Sequence, residues 1–239
     1  MQPVTLTVLL QAAFVLLAFV WRSVAQAKAT GSTGFVAHRE RGLVAKVAGV
    51  ALSVGLLAVV VGTALADRRE WRVAAVAGLV AMLVGLILTL VAQQAMGASW
   101  RIGVDPGERT ELVEHGLFAR VRNPIFTGMM LFAAGSALAV PTAITVTGLV
   151  VAVVGIVAQV RLVEEPHLHA SHGAAYAAYM RRTGRFLPRP GAARSSTPEP
   201  ASRAGGDWGS CGVRRGWGHV AGESAEGCQT RHVGPGGLG

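Results

Sequence analysis

The sequence predicts an all-α fold: a polytopic membrane helix bundle of about five transmembrane segments, with a tight hairpin between the last two and a disordered C-terminal tail. Three observations carry this reading. Of 239 residues, 51% are hydrophobic and only 15% are charged, whereas a soluble domain carries roughly 25% charged residues. The mean hydropathy is +0.46. The apolar residues fall in long uncharged blocks, the signature of helices that cross a bilayer, and Lys and Arg gather in particular connections between those blocks.

The first block runs from Thr5 to Trp21. Ala25-Gln26-Ala27 has the small-x-small pattern of a signal cleavage site, but no charged stretch precedes the apolar run and the run is long, so a retained helix is expected. Val47 to Ala66 and Val73 to Gln94 form the second and third blocks. The uncharged run Asn123 to Val160 is 38 residues long, too long for one helix across a core of about 30 Å at about 1.5 Å per residue. Pro141-Thr142 near its middle implies a hairpin, with helices near Pro124 to Val140, short for a crossing, and Thr142 to Val160. From about Gly191 the chain is rich in Gly, Ser, Arg and Pro and lacks the hydrophobic content to fold. Cys211 and Cys228 lie there with His219 and His232 nearby, but without metal-ligand spacing, so no metal site is expected. The expected organisation is residues 1–98 as three helices, 99–190 as a core of loop, hairpin and amphipathic segment, and 191–239 as tail. No internal repeat stands out.

No Lys or Arg precedes the first block. Five follow it (Arg22, Lys28, Arg39, Arg41, Lys46), three lie in the next loop (Arg68, Arg69, Arg72) and four in the third (Arg101, Arg109, Arg120, Arg122). The hairpin has none, and ten follow Val160. Five crossings with the N-terminus outside place the first and third loops and the C-terminus in the cytoplasm, which in a bacterium means the plasma (inner) membrane. The net charge of +9 follows from this bias and points to anionic lipid headgroups as partners, not to nucleic acid.

Three polar features share that side: the loop Ser99 to Pro124, "RLVEEP" at Arg161 to Pro166, and "HGAAYAAYMRRTGRFLP" at His172 to Pro188. Arg120 and Arg122 suit headgroup anchoring. Pro124 suits the first turn of a helix, so free N–H groups and positive dipole lie beside Arg122, where a carboxylate or phosphate would settle. Gly128, one turn in, permits another backbone or a flat ligand to approach closely. Glu164 and Glu165 follow an apolar helix. As solvated charges they could pair through Arg161 and Glu165 at i, i+4, but Arg161 comes first, the weaker order. Paired carboxylates at membrane depth are costly unless they bind a cation or hydrogen-bond donors. An Arg with a helix N-terminus and two carboxylates together match a small zwitterion, S-adenosylmethionine among several.

The run "ELVEHGLFARVRNPIFTGMMLFAAG", about two dozen apolar residues, and "RLVEEPHLHASHGAAYAAYMRRTGRFLP" together resemble the isoprenylcysteine carboxyl methyltransferase family. That family is grouped with the phospholipid methyltransferases, membrane enzymes using S-adenosylmethionine. The resemblance covers Gln93 to Pro188, about two fifths of the chain. It implies that Leu112, Gly116 and Phe118 line the nucleoside side, and that Arg122, Asn123, Pro124, Phe126 and Gly128 form the cofactor cradle. It implies that Glu164 and Glu165 hold the amino-acid end of the cofactor or neighbouring polar groups. Leu168 matches the Leu of the Glu-Glu motif, and Tyr176, Tyr179 and Arg181 match the segment that closes the site over substrate. Asn123 stands where the family has His, losing a titratable ring. Phe118 and Phe126 replace tyrosines and lose both hydroxyls.

The implied activity is methyl transfer to a lipophilic acceptor: an isoprenylcysteine-type carboxylate or thiol, or a phospholipid amine. Arg122, Glu164 and Glu165 would carry it. Two rivals are a sterol-type reductase of similar architecture using NADPH and a non-enzymatic lipid-binding membrane protein. A transporter fits less well, because no mid-membrane charge and no inverted repeat is visible. The sequence leaves the oligomeric state open.

Overall fold

In a bilayer every backbone polar group must be satisfied within its own segment, and the chain meets this with helices alone among its described residues. The computed structural model describes residues 2–34, 42–67, 72–100 and 112–189, all within a unit spanning Met1–Arg194. The tail expected from Gly191, with both cysteines, lies outside the described residues, as does 101–111 of the long loop.

Helix α1 covers Pro3–Thr30 and includes a π-helical stretch, Val15–Trp21. Helix α2 is Leu43–Ala64 and α3 is Val73–Met96. A single 3-10 turn, Gly116–Ala119, precedes α4, Pro124–Ala139, and α5, Ala143–Gln159. A π turn, Val160–Glu164, joins α5 to α6, Glu165–Arg182. Four helices are long and apolar enough to cross a membrane: α1, α2, α3 and the continuous run Ala143–Arg182. The fifth expected segment, α4, is apolar but has only 16 residues, a length of about 24 Å at 1.5 Å per residue. The hairpin forms at Val140 to Thr142, where Thr142 and Thr145 make a reciprocal capping box that closes the start of α5.

The two arms of the hairpin pack chiefly on different partners. Helix α4 lies antiparallel along α3, and α5 lies antiparallel along α2. Each of these four helices carries two glycines seven residues apart: Gly55 and Gly62, Gly78 and Gly85, Gly128 and Gly135, Gly148 and Gly155. Seven residues are close to two helical turns, so each pair marks one face. On these faces the backbones nearly touch. A Cβ on Gly78 would lie 2.6 Å from the Gly135 carbonyl oxygen, and one on Gly85 would lie 2.7 Å from that of Gly128. On the other pair, a Cβ on Gly148 would lie 2.8 Å from the Gly55 carbonyl oxygen. With no hydrophobic force between helices in lipid, such close van der Waals contact is what holds them together.

Helix α1 packs across both pairs. Phe14 stacks on Phe132 of α4 with ring centroids 4.3 Å apart, within a core of Ala18, Met82, Leu86, Met129, Ile156 and Val160. The π stretch opens the α1 ladder, and Gln93 of α3 donates to the Ala18 carbonyl at 2.9 Å. Arg22, which the sequence reading assigns to a loop, is only 5% exposed. Its guanidinium donates to the Gly97 carbonyl at 2.5 Å and lies 4.8 Å from the Trp100 ring centroid. A cation at the C-terminal end of α3 meets the negative pole of that helix.

Gly135→Leu should drive a side chain into the α3 backbone and lower stability by about 1–3 kcal/mol or more, read as a fall in the thermal midpoint of purified protein in detergent. Gly49→Ala, where nothing lies within 4 Å of the added Cβ, should leave that midpoint unchanged or slightly raised.

Candidate functional site

Helices α1, α3 and α5 end, and α2 and α4 begin, at one mouth of the bundle. There the chain after α5 does something that periodicity does not reveal. Gly173 interrupts α6 with φ 52° and ψ −122°, a conformation that disfavours any residue with a Cβ. The two halves of α6 fold back on each other. One guanidinium proves it: Arg122 Nη2 donates to Glu165 Oε1 at 3.0 Å, and Nη1 donates to the carbonyls of Met180 at 3.1 Å and Thr183 at 2.7 Å. Residues 165 and 180 would be about 22 Å apart on a straight helix. His169 and Tyr176, one on each half, meet edge-to-face with centroids 6.4 Å apart.

After α6 the chain runs back over the start of α4. Val121 and Gly184 form a parallel bridge. The Arg122 and Asn123 amides donate to the carbonyls of Gly184 at 2.8 Å and Arg185 at 3.1 Å. Asn123 Nδ2 donates to the same Arg185 carbonyl at 3.2 Å, and the Thr127 hydroxyl donates to that of Phe186 at 2.8 Å. Asn123, expected in a cofactor cradle, thus spends its side-chain amide on this strap.

The strap delivers a residue that the sequence reading missed. Arg185 donates from Nε to Glu165 Oε1 at 2.9 Å and from Nη2 to Oε2 at 2.6 Å, the two-pronged geometry that suits guanidinium to carboxylate. Glu165 therefore sits between two arginines, with side-chain exposures of 9% for Arg122, 12% for Glu165 and 29% for Arg185. The hydrogen bonds to Glu165 push Arg185 above the ordinary arginine value, so it stays charged at any pH the protein meets. The Arg161–Glu165 pairing considered from sequence gives way to these partners; Arg161 itself is exposed. Glu164 is half-buried in the π turn.

The remaining expected residues divide. Tyr176 and Tyr179 are buried, at 1% and 2% exposure, and the Tyr179 hydroxyl donates to the Phe118 carbonyl at 2.8 Å. This ties α6 to the 3-10 turn, whose first residue, Gly116, has φ 60°. Arg182 adds a second tie through an ion pair with Glu114 and lies 5.6 Å from the Tyr179 ring centroid. Arg181 is exposed, and its carbonyl accepts from Arg189 Nη1 at 2.9 Å. Pro124 is buried at the first position of α4, and Phe126 packs on the membrane core. Gly128 faces α3, with the Gly85 carbonyl oxygen 2.8 Å from where a Cβ would stand, so a neighbouring backbone fills the space it leaves. Leu112 and Leu168 are half-buried.

A membrane-length helix bundle carrying a buried ionic cluster at one mouth defines a class, and comparison with known families narrows it. Residues 71–175 match the family model described as phospholipid methyltransferase. The matched stretch takes in α3, the Arg122 turn, the hairpin, Glu164 and Glu165, and ends one residue before Tyr176. It agrees with the resemblance drawn from the Arg-Asn-Pro and Glu-Glu motifs, and it makes residues 71–175 similar to a family of phospholipid methyltransferases. No curated protein matches the chain, and no solved structure does.

Arg122→Ala would strip one of two arginine partners from Glu165 and the donor from two helix-end carbonyls, while Arg185 stays on Glu165. It should cost about 2–3 kcal/mol, the range for hydrogen bonds to a charged group, whereas Tyr179→Phe should cost about 1 kcal/mol for one hydrogen bond. Thermal unfolding of the two variants in the same detergent checks the ranking.

Proposed function

We propose that this protein transfers a methyl group from S-adenosylmethionine to a lipophilic acceptor at the membrane surface. The observation that carries the reading is the meeting of Arg122 with Glu165 inside the stretch that matches the methyltransferase family. The residues fit the amino-acid end of that cofactor. Arg122 Nε is buried and has no hydrogen-bond partner among the described residues, a donor left over for a ligand, and it lies beside the positive N-terminus of α4. Glu164 supplies a carboxylate for the ammonium. Glu165, with both oxygens engaged by arginines, acts by holding those arginines in place.

Arg122, Asn123, Pro124 and Phe126 would then form one wall of the cofactor site, with Leu112, Gly116 and Phe118 on its nucleoside side and Gly128 setting the depth of α4 against α3. Tyr176, Tyr179 and Arg181 would border the acceptor. The lysine and arginine bias assigns this mouth to the cytoplasmic side, with the N-terminus outside.

S-adenosylmethionine supplies a methyl group on a positively charged sulfur. Around it this chain contributes orientation and exclusion of water, and fixed positioning alone can supply several kcal/mol of barrier reduction. With a carboxylate acceptor, the apolar bundle strengthens attraction between opposite charges before they neutralise, and no base is required. With an amine acceptor, Glu164 is the carboxylate placed to take the proton.

Two measurements test the reading. Isothermal titration should detect S-adenosylhomocysteine and not NADPH; the reverse would turn the assignment to a reductase. Membranes containing the protein should move labelled methyl into a lipid or lipoprotein product, and Glu164→Gln should cut that rate at least about tenfold, in the range attributed to a positioned charged group.

A further inference from the structure

We propose that Arg185 is a second anion-binding residue, which closes with Arg122 on the carboxylate of the methyl donor's amino-acid end. The inference rests on the reading above and deepens it, because the family match ends at residue 175 and the motif run that includes Arg185 gives it no role.

Three observations converge. First, Arg122 Nη2 and Arg185 Nε both donate to the same oxygen of Glu165, at 3.0 and 2.9 Å. Their donor nitrogens therefore stand within about 6 Å of each other, a distance at which like charges repel appreciably. One carboxylate cannot neutralise both. The Arg122–Glu165–Arg185 group carries one unit of positive charge in excess, beside the positive end of α4. Second, donors remain for an incoming anion. Arg122 Nε is buried without a partner among the described residues, and Arg185 engages Glu165 through Nε and Nη2, leaving Nη1. Third, Arg185 is the open member of the group, 29% exposed against 9% for Arg122. Its backbone is held at the α4 N-terminus by the Asn123 amide and side chain. The anchored backbone and half-open guanidinium suit a residue that meets a ligand arriving from water. The deeper Arg122 forms the floor, and Glu165 sets the angle between the two forks.

The test compares two ligands that differ only in the anion: S-adenosylhomocysteine and its decarboxylated analogue. Wild-type protein should bind the first at least about tenfold more tightly, in line with hydrogen bonds to a charged group. Arg185→Gln keeps a hydrogen-bond donor toward Glu165 and removes the charge. It should weaken S-adenosylhomocysteine about tenfold or more while changing the analogue less than about twofold. Equal loss of both ligands would mean that Arg185 only supports the fold, and no loss of either would mean that it touches no ligand; both results overturn the proposal. If Arg185→Gln does not fold, Arg185→Lys, which loses the fork, is read by the same ratio. Equal affinity of wild-type protein for the two ligands refutes the clamp without any variant. Failure of the wild type to bind either ligand refutes the cofactor assignment itself, a result distinct from all of these.

Discussion

Backbone-to-backbone contact between glycine faces is the constraint from which the rest follows. Lipid offers no hydrophobic gain when two apolar helices meet, so a stable pair needs contact close enough for many weak attractions to add up. Gly78 and Gly85 against Gly135 and Gly128 bring α3 and α4 to that distance, and Gly55 and Gly62 bring α2 against α5 in the same way. Because α4 and α5 are joined by a three-residue turn, docking each on its own partner fixes where α4 begins and where α5 ends. The site at the mouth inherits both positions.

At that mouth the problem changes from packing to charge. The beginning of α4, the beginning of α6 and the strap after α6 are separate stretches of chain, and Glu165 joins them through two arginines. Each arginine also answers a backbone need. Arg122 satisfies the carbonyls of Met180 and Thr183 at the end of α6, and the strap's carbonyls receive the amides of Arg122 and Asn123, which no helix would otherwise use. A group of this kind is costly to bury and rigid once made. Rigidity of this kind suits the positioning role proposed for the site.

Much of this was legible beforehand. Long uncharged blocks revealed the helices to within about four residues, except that the first runs nine residues past Trp21 to Thr30, and Pro141 revealed the hairpin, because apolar length and proline placement act locally. The Arg-Asn-Pro and Glu-Glu motifs pointed to each other, and Arg122 and Glu165 do meet. The seven-residue glycine spacing was present in the sequence as well, shared by four helices, and a search for small residues at two-turn intervals would have found it.

What the sequence alone determined is which stretches form long apolar helices and which charges flank them, since both depend on the transfer of individual residues between water and lipid. What only the tertiary structure decided is who partners whom. Arg22 turned inward to cap α3, Gly173 reversed α6, and Arg185, not Arg161, came to share Glu165. These outcomes depend on where distant segments end in space, and a single left-handed glycine or one added residue in a π turn redirects every side chain beyond it.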